Sequence, residues 1–102
     1  MTPVRRLALD VLKPHEPELL EFGRRIGDLD GVAGVNVAVI EIDREVQNVN
    51  LTIEGDDLDY GAIQDAIREQ GATVHSVDEV SCGERLVCES AGPPLVRPTW
   101  LR

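Results

Sequence analysis

Residues 7–17 read LALDVLKPHEP, and the rest of the chain falls into place around them. Leu7, Leu9 and Val11 lie on one side of an extended chain, with Arg6, Ala8, Asp10 and Leu12 on the other. Period two marks a strand with one face on a core. Pro14 ends it, because proline donates no ladder hydrogen bond. Pro17 suits the first turn of a helix, where no amide partner is needed. Between strand and helix lies a rigid loop that carries His15 and Glu16.

Downstream, Leu19, Leu20, Phe22, Ile26 and Leu29 recur at helical spacing. Glu18 and Glu21 stand near the positive end of the helix dipole, and Arg24 and Arg25 near its negative end. Asp30-Gly31 stops the helix. Val35 to Ile42 predicts a second strand, with Val35, Val37 and Val39 on one face and Asn36, Ala38, Ile40 and Ile42 on the other. Both faces are largely apolar, so the second face is expected to be covered as well. After the turn at Asp43-Arg44-Glu45, Val49, Leu51 and Ile53 alternate with Asn48, Asn50, Thr52 and Glu54, which makes a hairpin with the strand before. Asp57 or Asp59 caps a second helix, striped by Tyr60, Ile63, Ala66 and Ile67, and Gly71 ends it. A fourth strand runs from Thr73 to about Val80. Its valines, 74, 77 and 80, are spaced by three, so its faces stay unassigned, with a bulge or a twist as the reason. Glu84 to Glu89 could add a short edge strand.

This order, β-α-β-β-α-β, is the split βαβ pattern of the ferredoxin-like α+β fold. An antiparallel sheet of order 4-1-3-2 follows, with both helices on one face and the other face open. The domain is expected over residues 1–89, and residues 90–102, SAGPPLVRPTWLR, form a proline-rich tail, ordered where Leu95, Val96 or Trp100 docks on a neighbour. A length of 102 residues is one domain and one core. With aromatics at 3%, aliphatic side chains must fill that core.

The formal charge is −9, from 19 acids against 10 bases, and Lys13 is the single lysine. Such a balance argues against nucleic acid as a partner, because phosphates attract basic patches. Acid excess with scarce lysine fits a surface built for a salty cytoplasm, where ions screen self-repulsion. No stretch approaches the roughly 20 apolar residues of a membrane helix, and Asp10 interrupts any signal-peptide pattern. A cytoplasmic location with no membrane partner is the expectation. Cys82 and Cys88 do not have zinc-site spacing and read as reduced, partly buried thiols.

The topology places sequence-distant residues together. His15 and Glu16 follow the first strand, at the end where Glu41 and Asp43 close the second and where Asn48 and His75 lie. Asp10, His15, Glu16, Glu41, Asp43 and His75 are therefore the candidate ligands for a divalent metal ion, since imidazole and carboxylate together suit zinc, nickel or iron. The plainer alternatives are a loop histidine bonding a backbone carbonyl, a subunit-contact His75, an Asp10 paired with Arg6, and a solvated strand end. Glu54, Asp56, Asp57 and Glu79 gather at the opposite end. No catalytic residue stands out: Ser76 and Ser81 lack a recognisable triad, nothing local would activate Cys82, and no phosphate-binding glycine loop is present.

Through LDVLKPHEP, VNVAVIEID, NVNLTIEGDDLDY and GATVHSVDEV, over roughly residues 5 to 85, the chain resembles the archaeal domain of unknown function 211 family. KPHEP at 13–17, IEID at 40–43 and HSVDEV at 75–80 carry that resemblance. It implies a ferredoxin-like fold and homo-oligomeric assembly, and no established reaction. The tail after about Glu84 departs from it. The leading expectation is a homo-oligomeric binding module that packs its open face, through Ala8, Leu12, Ala38, Ile40 and Ile42, on a second copy and holds a metal ion or small ligand near the boundary. The alternatives are a scaffolding oligomer without ligand and a metal-dependent enzyme that activates water at the His15/His75 end.

Overall fold

The structure, a computed structural model, describes residues 2–84. The expected edge strand after Glu84 and the tail at 90–102 lie outside the described residues. Six elements follow in the expected order: β1 (Val4–Pro14), α1 (Leu19–Gly27), β2 (Val32–Ile42), β3 (Val46–Gly55), α2 (Tyr60–Glu69) and β4 (Thr73–Cys82). The sheet order is β2-β3-β1-β4, and every neighbouring pair is antiparallel. This is the ferredoxin-like fold.

The core forms where the two period-two strands meet. Leu7, Leu9 and Val11 of β1 stand directly opposite Ile53, Leu51 and Val49 of β3, all buried. Phe22 and Ile26 of α1 and Ile63 and Ile67 of α2 pack on the same face in one cluster. Each helix contributes an i, i+4 pair, one stripe of a 3.6-residue period. Asp59 caps α2 by accepting a hydrogen bond from Ala62 N at 3.2 Å, and Gly71 follows it at φ +83°. Pro17 stands before α1, not in its first turn: Glu18 is the N-cap, with extended backbone at φ −70° and ψ 165°.

Bulges decide where three apolar stripes point. In β4, Val74, Val77 and Val80 oppose Val11, Leu9 and Leu7, so all three valines face the helix side. Their spacing of three is possible because His75 and Asp78 are each an extra residue against β1. In β2, Val39 opposes Val49 but Glu41 opposes Asn48, which makes Ile40 the extra residue and brings Ile42 opposite Gln47 on the helix side. Strict alternation, which puts Ile42 on the open face with Ala38, therefore fails at Ile40. The open face is also more polar than expected. Its rows run Thr73–Leu12–Asn48–Glu41, Ser76–Asp10–Asn50–Ala38 and Glu79–Ala8–Thr52–Asn36.

Exposed large apolar side chains lie instead at the flanks. Val39, Ile40 and Ile42 line the β2 edge, Val77 and Val80 the β4 edge, and Leu20 projects from α1. Val35 and Val37 of β2 and Val74 of β4 are packed against the core, so the exposed part of each rim is confined to Val39, Ile40 and Ile42 on β2 and to Val77 and Val80 on β4.

Candidate functional site

The alternation of β1 continues past Val11 to Lys13, so the protein's single lysine points to the helix side and is fully buried. Its Nζ donates to Pro14 O at 2.8 Å and to Gln47 Oε1 at 3.2 Å, and Gln47 is its direct partner on β3. Burial holds the ammonium below the ordinary lysine pKa of 10.5, and the nearby carboxylates of Glu16 and Glu18 offset part of that depression. Sequence reasoning passed over Lys13. The signal was there in its register with Leu7, Leu9 and Val11.

Lys13 fixes the carbonyl at Pro14, and the loop that starts there carries His15 across to the β2–β3 turn. His15 Nε2 lies 3.1 Å from Asp43 O and 3.0 Å from Arg44 O. Two carbonyl oxygens accept and cannot donate, so Nε2 bears a hydrogen in this contact. The turn is closed by Asp43 N donating to Val46 O at 2.8 Å and by Arg44 N donating to the Asp43 carboxylate. KPHEP is thus first a loop-fixing motif, with Lys13 as its internal anchor and His15 as its tie to the neighbouring hairpin.

The six candidate ligands divide into separate groups. His15 and Asp43 are joined through the Asp43 backbone, and both are exposed. Glu16 is the exposed residue after His15, and Glu41 faces Asn48 on the open side. Asp10 lies on the open face between Asn50 and Ser76. His75, the extra residue of a β4 bulge, sits on the far flank of the sheet from the β2–β3 turn that His15 reaches. The two histidines share one half of the sheet but not one site. Among the described residues, no three His, Cys, Asp or Glu side chains form a group able to hold a metal ion.

At the opposite end Glu54, Asp56 and Glu79 are paired with arginines. Arg6 reaches Glu54 at 2.9 Å and Glu79 at 3.1 Å, and Arg5 reaches Asp56 at 3.3 Å. Cys82 is an exposed free thiol, and Ser76 Oγ donates to Asp78 at 2.8 Å. Neither has the geometry of an activated nucleophile.

These features define a ferredoxin-like α+β domain with a tied loop at one end, a polar open face and two apolar sheet rims. The chain belongs to the domain of unknown function 211 family, described as uncharacterized ArCR, whose profile matches residues 5–93. It is 44% identical over 93 residues to the uncharacterized protein MJ0319 of the archaeon Methanocaldococcus jannaschii, a match that spans 91% of this chain and 96% of that protein. No helix among the described residues is long and apolar enough to cross a membrane.

Proposed function

We propose that the protein is a homo-oligomeric binding module, assembled through its sheet rims and holding a metal ion or small ligand near a subunit boundary. One observation carries this reading. The described surface leaves Ile40, Ile42, Val77 and Val80 between 46% and 65% exposed, in two patches at opposite edges of one sheet. Exposed apolar patches rimmed by polar residues mark association surfaces. β2 and β4 run antiparallel to one another, so the β4 rim of one copy meets the β2 rim of the next in the sense that already joins neighbouring strands. Two different surfaces meeting head to tail generate a ring when the rotation closes.

The ligand half of the proposal belongs to the boundary. His75 lies on the β4 rim and Glu41 on the β2 rim, each an incomplete ligand set within one copy. A tetrahedral or octahedral ion needs four to six donors, which a neighbouring copy supplies.

Native mass spectrometry on protein purified without chelator, repeated after EDTA, tests both halves. The expected result is a discrete oligomer carrying stoichiometric metal that EDTA removes. Ile40→Glu, at a position 57% exposed and outside the core, is expected to shift the species to monomer without loss of helix and strand signal. A wild-type monomer at micromolar concentration would sink the proposal. A metal-free oligomer of unchanged size would leave assembly standing and remove the metal, favouring a scaffold or an organic ligand.

A further inference from the structure

β2 is an edge of the sheet, paired with β3 alone among the described residues. An open edge offers its backbone N–H and C=O groups to any strand that fits, and monomeric proteins blunt it with charged side chains, proline or bulges. Between its bulges at Ala33 and Ile40, β2 has none of these. Residues 31–40, GVAGVNVAVI, are the longest run of the chain without a charged residue or a proline, in a protein of net charge −9. On the helix side of this edge a groove of roughly 620 Å³ opens between α1 and β2, lined by Leu19, Leu20, Gly23, Gly27, Val35 and Val37.

We propose, resting on assembly through the sheet rims, that β4 of a second copy adds to β2 by main-chain hydrogen bonds, with Val74, Val77 and Val80 of that copy opposite Val39, Val37 and Val35. Three observations select this occupant and this register. The first is spacing. The two bulges of β4 set Val74, Val77 and Val80 against Val11, Leu9 and Leu7 of β1, which alternate strictly. Val39, Val37 and Val35 repeat that alternation, so β4 presents the same three valines at a fitting spacing to a strand on its other side. The second is direction. The valines of β4 face the helix side, so Val77 and Val80 of the second copy enter the groove beside Val37 and Val35, which line it. The third is charge. This register sets Ser76 and Glu79 of the second copy beside Ala38 and Asn36, and no acid opposes an acid. A β4-to-β4 contact gathers Asp78 and Glu79 of both copies, and a β2-to-β2 contact leaves Val77 and Val80 bare. The mixed contact covers both rims at once.

Directly opposite residues of antiparallel strands have Cα atoms about 4.5–5.5 Å apart, inside the disulfide range of about 4.4–6.8 Å. Ala38 and Ser76 lie on the open face, outside the core. Ala38→Cys combined with Ser76→Cys, in a chain carrying Cys82→Ser and Cys88→Ser, is expected to give a ladder of covalent multimers on mild oxidation. Ala38→Cys alone, Ser76→Cys alone, and Asn36→Cys with Ser76→Cys, two residues out of register, should give several-fold less. Hydrogen exchange on the wild-type protein reads the same contact without any substitution. The β2 amides should be protected in the oligomer and lose that protection on dilution to monomer, while β1 and β3 keep theirs. The proposal is overturned by an oligomer whose double variant gives no more multimer than the controls, by a covalent dimer from Ala38→Cys alone, which marks β2 on β2, or by β2 amides that exchange as freely in the oligomer as in the monomer. Each of these leaves homo-oligomeric assembly standing, whereas a wild-type monomer at micromolar concentration removes both.

Discussion

At the scale of single residues, Lys13 is the position with the most physical content. It is an ammonium enclosed on the core side of β1, with two oxygen acceptors for three hydrogens. Its folded pKa lies below the unfolded value of 10.5, with desolvation as the main cause. Below the folded pKa both states carry the proton, and the cost of the buried charge is constant. Between the two pKa values the unfolded chain binds more protons, so stability rises with pH. Wild type should therefore gain on Lys13→Met as pH climbs toward 10.5, and the gain should stop above it. Urea melts of both proteins at a series of pH values check this. A stability difference that is flat, or that falls, across the alkaline range would show that the ammonium is not desolvated. His15 behaves differently. Its ring is exposed and spends one nitrogen on the Asp43 and Arg44 carbonyls, so its truncation should loosen the loop locally and spare the core.

At the scale of elements, most of the fold was legible because strand and helix periods were clean where the core is. Leu7, Leu9 and Val11, Val49, Leu51 and Ile53, and the Phe22/Ile26 and Ile63/Ile67 pairs all follow a single period and all are buried. Legibility stopped at the edges. A bulge shifts alternation by one residue without changing composition, so Val35 to Ile42 reads as unbroken alternation although Ile40 is an extra residue. The valines of β4 showed that period two fails but not in which direction, since two bulges and a twist give the same spacing. The candidate site was half legible for the same reason. Topology put His15 and Asp43 at one end, as found, but the bulge at His75 and the sheet order keep the second histidine on the other flank. The close approach of the α1–β2 loop to the end of β3 was not legible at all. Gly31 adopts φ +85°, and a Cβ on Gly55 would overlap the Gly31 carbonyl oxygen and press on Leu58 Cδ2 at 2.8 Å. The carbonyl is backbone and cannot rotate aside. Gly55→Ala should therefore cost about 1–3 kcal/mol, the range of an overpacked core site. Gly34→Ala, where a Cβ meets nothing within 4 Å, should cost far less. Chemical denaturation of the pair measures the difference, and equal midpoints would mean that the loop moves freely away from β3.

At the scale of the whole molecule, charge and assembly act against one another. A net charge of −9 on a 102-residue chain repels itself in the compact state more than in the expanded one, and it also opposes the approach of a second copy. Ion pairs supply only a small counterweight. The Arg25–Glu21 pair is an exposed i, i+4 contact worth about 0.3–0.5 kcal/mol. Arg5–Asp56 holds a carboxylate whose side chain is 97% exposed, so it is easily screened. Salt weakens such pairs and relieves the repulsion, and with 19 acids against 10 bases the relief is the larger effect. The melting temperature should rise as KCl is raised from low concentration toward about 1 M, where the Debye length has fallen to about 3 Å. Each 1 kcal/mol relieved corresponds to roughly 4–8 °C for a chain of this size. The oligomer population should rise over the same range, because the apolar rims at Ile40, Ile42, Val77 and Val80 are indifferent to screening while the repulsion between copies is not. Calorimetry and sedimentation in the same salt series separate the two effects. Melting that rises while the protein stays monomeric would confine the charge effect to folding. A melting temperature that falls with KCl would mean that the ion pairs outweigh the acid excess and that the surface is not adapted to salt.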